Sequence, residues 1–193
     1  MRGCRLAACS VILGALAWGS AAGATPIVIQ TAVFGGHTYD LLSQSNWTDA
    51  EAAAVGLGGH LATISSAAED AFVYNTFTSN AQINRGLWIG LNDAAVEGTF
   101  VWASGEPVTY TNFAVGEPNN NGGIEDWVHI FWPSDPRASK WNDAPNLDAP
   151  FGVPTLGVVE LPFVTNGTVP EPSTLMLCGA GLAVAVRRLR RRP

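Results

Sequence analysis
Three short stretches of the chain carry oxygen donors suited to a hard cation: Glu117-Pro118-Asn119-Asn120, Glu125-Asp126 and Asn142-Asp143. Calcium takes about six to eight oxygens from carboxylates, amide carbonyls and water, and Glu117, Asn119, Glu125, Asn142 and Asp143 offer such a set. In an extended segment residues i and i+2 point the same way, so Glu117 and Asn119 can face one ion across Pro118. Adjacent residues point oppositely, so spacing alone does not bring Asn142 and Asp143 onto the same ion. Glu-Pro-Asn by itself is commonly a solvated turn, and Trp141-Asn142-Asp143 by itself a strand-to-turn junction. Their combination, with Glu125 between them, points to calcium.

Other chemistries find less support. Covalent or acid–base catalysis needs a nucleophile with its base, or carboxylates whose environments separate their pKa values. The sequence has no Gly-x-Ser-x-Gly elbow, no zinc-type histidine pair and no phosphate loop. Glu117 and Glu125 could imitate a glycosidase pair, but their flanking asparagines suit a metal better, and no enzyme is expected. His37, His60 and His129 are far apart and read as structural histidines. Trp88, Trp102 and Trp141 read as core.

The charge distribution agrees. The chain of 193 residues has a net charge of −6, with Arg2 and Arg5 at its start and Arg187, Arg188, Arg190, Arg191 and Arg192 at its end. Between these clusters only Arg85, Arg137 and Lys140 face the 16 acids. Such a body repels phosphate backbones and excludes nucleic acid as a partner.

The elements that must position the donors can be traced from the sequence. Phe34, Tyr39 and Leu41 around Gly35-Gly36 predict an opening hairpin. Thr48-Asp49-Ala50-Glu51 and Ser66-Ala67-Ala68-Glu69 each fit a capping box. The first helix should end near Leu57 at Gly58-Gly59 and the second near Phe77, with a short strand at Leu61-Ala62-Thr63-Ile64 between them. Strands follow at Leu87–Leu91 and Phe100–Trp102, and a closing one at Val153–Leu161. Pro, Asn and Gly crowd residues 116–123 and 133–150 on either side of Trp127-Val128-His129-Ile130. Loops that long in a small domain are usually functional.

The two ends read as addresses. A basic start, the apolar run Leu6–Trp18 and Ala22-Gly23-Ala24 predict a signal peptide over residues 1–24, for cleavage by signal peptidase. Residues 170–193 begin with Pro170-Glu171-Pro172 and continue through Leu175–Val186 to the arginine cluster. This order resembles the PEP-CTERM sorting signal of Gram-negative bacteria, which implies exosortase processing. It also implies secretion to the cell surface or extracellular matrix, with transient membrane association through the tail before cleavage. Terminal arginines would stay on the cytoplasmic side. The twelve residues of the apolar run make roughly 18 Å of helix, short of a hydrocarbon core of about 30 Å. Snorkelling arginines and Ser173-Thr174 would have to extend the span. Residues 164–169 read as a linker. Cys4, Cys9 and Cys178 all lie in the addresses, so the exported body holds no disulfide.

Trp47-Thr48-Asp49-Ala50-Glu51-Ala52, Gly58-Gly59-His60-Leu61-Ala62, Trp88-Ile89-Gly90-Leu91, Gly116-Glu117-Pro118-Asn119-Asn120, Trp141-Asn142-Asp143 and Val158-Val159-Glu160 follow one another in an order that resembles a C-type lectin-like domain. The domain would occupy residues 25–163. The resemblance implies an α+β fold: two helices, two small antiparallel sheets and a long-loop region carrying the ligand site. Family members usually hold two disulfides, and the corresponding positions here are Ala54 with Val159 and Trp127 with about Asn146. Losing a native bridge costs about 2–5 kcal/mol in small secreted domains. Burial of Ala54, Val159 and Trp127 would offset part of that.

The resemblance further implies that Glu117, Asn119, Glu125, Asn142 and Asp143 jointly hold one Ca²⁺, with Glu117-Pro118 in the cis form. Adjacent sugar hydroxyls would complete its shell while Glu117 accepts and Asn119 donates hydrogen bonds to them. Glu-Pro-Asn matches members that prefer mannose-like sugars, so the expected partner is a glycan or exopolysaccharide of that type. Asp93, Glu97, Asn120, Glu125 and Asp126 fall where the family holds an auxiliary calcium. The alternative is a structural or adhesive surface protein that uses the fold for protein or matrix contacts in a biofilm setting, without sugar.

Overall fold
The structure is a computed structural model, which describes residues 24–78 and 84–163. The sequence first folds back on itself in a hairpin of β1 (Val28–Phe34) and β2 (His37–Gln44), turning at Gly35-Gly36 as expected. Helix α1 (Trp47–Gly56), β3 (His60–Leu61) and α2 (Ala67–Thr78) follow. Then come β4 (Gly86–Asn92), β5 (Val101–Trp102), β6 (Trp127–Ile130), β7 (Trp141–Ala144) and β8 (Thr155–Leu161).

The strands make two antiparallel groups joined by one parallel contact. β8 pairs with β2 and β3, β2 pairs with β1, and on the other side β4 pairs with β5 and β6, and β6 with β7. A short parallel register, Gly86 to Thr155 through Trp88 to Gly157, links β4 to β8. This is the expected α+β architecture with two helices, its two small antiparallel sheets joined here into one eight-stranded mixed sheet. The close approach of the β3 segment to β4 requires Gly90, where a Cβ would lie 2.4 Å from the Leu61 carbonyl oxygen.

Helix α1 begins differently from the sequence pattern, and α2 starts behind Ser66 as expected but uses its glutamate differently. For α1 the cap is Asn46, whose Oδ1 accepts from Asp49 N at 2.8 Å while its own amide donates to Asp49 Oδ2 at 3.0 Å. The reciprocal cap thus starts two residues before Thr48. Trp47 explains the shift: it is the first helical residue, buried, and its Nε1 donates to Ile89 O at 2.8 Å, which draws the helix start back onto β4. Glu51 is released from capping and instead accepts from Leu61 N at 2.8 Å and contacts His60 Nδ1 at 2.6 Å. In α2, Ser66 Oγ does accept from Glu69 N at 3.3 Å, but the Glu69 carboxylate turns to Ser65 and to Tyr39 OH. β3 is two residues long; beyond it Ala62 still donates to Val158 O of β8, while its own carbonyl turns to accept from Gly90 N of β4.

One cluster, with Tyr39, Leu41, Ile64, Phe77, Ile89 and Trp141 at its centre, lies under α2. The other joins α1 to β3 and β8, and it contains both Ala54 and Val159 in full burial with Trp127 packed at its edge. At two of the positions expected to be bridged by disulfide, apolar contact therefore takes its place. Each large apolar side chain fully buried contributes about 1.5–3 kcal/mol.

Residues 1–23 and 164–193 lie outside the described residues, and with them the signal peptide, the linker, the tail and its membrane segment. Among the described residues no helix is long and apolar enough to cross a membrane.

Candidate functional site
Trp141 fixes the strand that carries the last two donors. It is fully buried, its ring meets Trp102, Tyr110 and Phe113 edge-on, and its Nε1 donates to Asp70 Oδ1 at 2.9 Å. The segment leading to Glu117 is fastened along this same strand: Trp141 N donates to Asn112 O and Ala114 N to Trp141 O, both at 2.9 Å. A turn closed by Glu117 N to Ala114 O at 3.0 Å then presents Glu117-Pro118-Asn119. The Glu117–Pro118 bond is cis. The core tryptophan thus sets the positions of Asn142 and Asp143 directly and of Glu117 and Asn119 through one strip of backbone.

The five residues expected to share a cation are drawn into one network. Asp143, 1% exposed, accepts from Asn119 N at 3.2 Å through Oδ1 and from Asn120 N at 2.7 Å through Oδ2. The Asn119 amide donates to Glu117 Oε2. Glu125 is buried and accepts from Asn121 N at 2.7 Å, while its own N donates to Asn120 Oδ1 at 3.1 Å. Asn142 is buried, donates through Nδ2 to the Asp143 carbonyl, and its Oδ1 has no partner. A buried amide oxygen left without a donor costs about 1–3 kcal/mol, and it is the kind of atom that a hard cation takes.

Electrostatics sharpens this picture. Burial first, and then the neighbouring Asp143, push the Glu117 carboxyl above the usual range, against the pull of Arg137. Glu125 is raised by burial, eased by the Asn121 N–H, and raised again by Asp143 and Glu117. The carboxylates therefore crowd one another enough to disfavour their own ionisation. A cation among them would reverse that preference.

The residues expected at an auxiliary ion are neighbours as well. Asp93 is 2% exposed, accepts from Gly98 N at 2.8 Å through Oδ2, and leaves Oδ1 buried and unpartnered. Its carboxyl is raised by burial and by Asp126 and Asp143. Asp93 N donates to Asp126 O, and the Asn120 amide donates to Glu97 Oε2. Among the described residues no group of three or more His, Cys, Asp or Glu converges tightly enough to hold a metal on its own. Both candidate sets depend on asparagine oxygens beside the acids, and in both an unpartnered buried oxygen fits a cation.

Two residues join the site that the spacing of motifs did not reveal. Arg137 Nη1 donates to Glu117 Oε1 at 3.3 Å; Asp135 holds the guanidinium through Nε at 3.0 Å, and it stacks 3.8 Å over the Phe131 ring. His129 is fully buried beneath the site with Nε2 3.5 Å from Asn142 Nδ2, and burial pushes its pKa down to about 4. The neutral ring stands where a second positive charge would oppose a metal. The rarity of cations in the body was the available signal for Arg137. For His129 the signal was its register opposite Asn142, which pairing alone discloses.

A fold with this long-loop site is that of a lectin-type domain, a binding fold rather than an enzyme family, and the chain belongs to the C-type lectin domain family. The family's model, described as Lectin C-type domain, matches residues 43–148, and a PEP-CTERM protein-sorting motif matches residues 168–192. That motif implies exosortase processing and extracellular or cell-surface sorting in Gram-negative bacteria. The chain is 43% identical over 90 residues to the alpha-N-acetylgalactosamine-specific lectin of Patiria pectinifera, covering 46% of this chain and 52% of that protein. It is 38% identical over 101 residues to pulmonary surfactant-associated protein D of Bos taurus, covering 52% of this chain and 25% of that protein. The chain thus spans about half the length, or less, of these curated relatives. Among solved structures, the C-type lectin CEL-I from Cucumaria echinata superposes with a TM-score of 0.60 at 28% identity, covering 69% of this chain and 95% of that one. Human lithostathine and herring type II antifreeze protein, each at 23% identity, share the fold alone.

Proposed function
We propose that this domain binds carbohydrate through calcium, with a preference for mannose-type sugars, at the bacterial surface or in its exopolysaccharide matrix. Glu117, Asn119, Glu125, Asn142 and Asp143 would hold the principal ion, and Asp93, Glu97, Asn120, Glu125 and Asp126 an auxiliary one. The observation that carries the reading is the buried, unpartnered Asn142 Oδ1 next to Asp143, in a loop where burial and then Asp143 raise the Glu117 and Glu125 carboxyls. Calcium bound there would supply coordination positions for adjacent sugar hydroxyls. The protein's part is to keep Glu117 as an acceptor and Asn119 as a donor toward those hydroxyls, with His129 holding no charge beneath them.

The relatives support a glycan ligand in general terms, since one is named for its sugar specificity. The mannose preference rests on the Glu117-Pro118-Asn119 order. The signal peptide, linker and sorting tail would deliver many copies of the domain to one surface, where weak single-site binding gains avidity.

Retention of the purified protein on mannose-agarose in millimolar calcium, with release by EDTA, is the expected result. A melting temperature that calcium leaves unchanged, together with flow-through from the column, would instead favour a structural or adhesive role without sugar.

A further inference from the structure
The geometry points to a second saccharide subsite, in the groove between α2 and the start of β7, which receives a neutral sugar unit of the same glycan that engages the calcium site. It rests on the carbohydrate reading above. The groove measures about 310 Å³, with Tyr74, Asn75, Tyr110, Asn112, Ser139 and Lys140 around it. That is the lower end of the range for small-molecule sites, about 300–1,000 Å³, and suits one monosaccharide unit.

The groove is built on a fixed floor. Asp70, 5% exposed, accepts from Trp141 Nε1 at 2.9 Å, Tyr110 OH at 3.1 Å and Asn112 Nδ2 at 2.5 Å. Asn112 Nδ2 also reaches Ser139 O at 3.0 Å, and Lys140 Nζ donates to Asn112 Oδ1 at 2.6 Å. Side chains locked this way lose little freedom when a ligand arrives. Tyr74 and Tyr110 offer apolar ring surface, and the Lys140 ammonium, with three donors, retains two for hydroxyl oxygens. The groove holds one ammonium, Lys140, above one buried carboxylate, Asp70, so its two formal charges are of opposite sign. A polyhydroxyl ligand therefore suits it better than an anion.

Its position ties it to the calcium site. Asn112 and Glu117 are five residues apart on the strip fastened to β7, at most roughly 17 Å even if fully extended, and the Ala114–Glu117 turn shortens this. Lys140 precedes Asn142 by two residues. A short oligosaccharide can span the two.

The test compares methyl α-mannoside with an α-linked mannotriose by calorimetry on the purified protein, with and without calcium. The trisaccharide should bind about tenfold tighter. Lys140→Ala and Asn75→Ala, with melting temperatures near the wild type, should bring it toward the monosaccharide's affinity and leave methyl α-mannoside unchanged. Equal affinity for the two sugars in the wild type, or variants that weaken both alike, overturns the subsite, as does tighter binding of a trigalacturonate. Calcium-independent binding of the trisaccharide that Lys140→Ala abolishes would retain the groove and remove the calcium reading. Absence of binding by either sugar removes both.

Discussion
Asp70 and Asp143 are both buried carboxylates tied to β7, and they are treated in opposite ways. Around Asp70 every oxygen is spoken for by Trp141, Tyr110 and Asn112, and its nearest charge is a lysine. Around Asp143 the neighbours are further acids, Glu117, Glu125 and Asp93, and a buried amide oxygen beside them has no donor. The first arrangement is finished as it stands and serves to fasten the core to the long loop. The second leaves like charges and an orphan amide oxygen, a combination that fits an added cation. Both Asp143 oxygens also accept backbone N–H bonds, so the two acids differ in their company, a lysine beside one and further acids with an orphan amide oxygen beside the other.

Removal of the finished acid should have the largest effect on stability. Asp70→Ala leaves the buried Trp141 Nε1 without an acceptor and takes one from the part-buried Tyr110 OH and Asn112 Nδ2, and should lower unfolding free energy by about 3 kcal/mol, measured by urea titration. The loss should be the same with and without calcium. Asp143→Ala should act in the reverse pattern. Loss of the acceptor for Asn119 N and Asn120 N costs the calcium-free protein about 1–2 kcal/mol, while the stabilisation by millimolar calcium disappears entirely. If calcium stabilises Asp143→Ala as much as the wild type, the contrast between the two acids is wrong. The next effect is on specificity. Glu117→Gln combined with Asn119→Asp should shift a glycan-array profile from mannose-type toward galactose-type sugars with little change in melting temperature, and an unchanged profile would place the sugar elsewhere.

Only the Asp143 side of this contrast could be read from residue order; the role of Asp70 depends on contacts across the chain. The hairpin, both helices and the closing strand follow from turn residues, caps and apolar runs, which are local signals. The cap of α1 was displaced because Trp47 packs on β4 some forty residues later, a contact that no local pattern contains. The loop residues Glu117, Asn119, Glu125, Asn142 and Asp143 could be grouped as candidates because their residue types suit one ion, and the structure brings them into one hydrogen-bonded network. Sequence could not show that Trp141 aligns two of them by burying its ring and the other two through the Asn112–Ala114 strip. The histidines show the same limit: His37 and His60, widely separated in sequence, line a single pocket with Glu160, and His129 lies under the candidate site.

Arg137 supplies the smallest expected effect, and the one that tests how open the acidic site is. It is the only cation among the described residues in contact with Glu117, and at 45% side-chain exposure it is largely solvated. Exposed pairs of this kind are worth about 0.2–1 kcal/mol. In the calcium-free protein the guanidinium partly neutralises Glu117, and a metal must work against its charge. Arg137→Ala should therefore tighten calcium binding by about two- to fivefold in a titration at low salt, and the gain should shrink at high ionic strength, where exposed charges are screened. Arg137→Lys should fall between the two, since it keeps the charge but loses the paired contacts with Asp135. Weaker calcium binding in Arg137→Ala would mean that the arginine positions Glu117 for the ion, and that this side of the site, like Asp70, is completed by the protein itself.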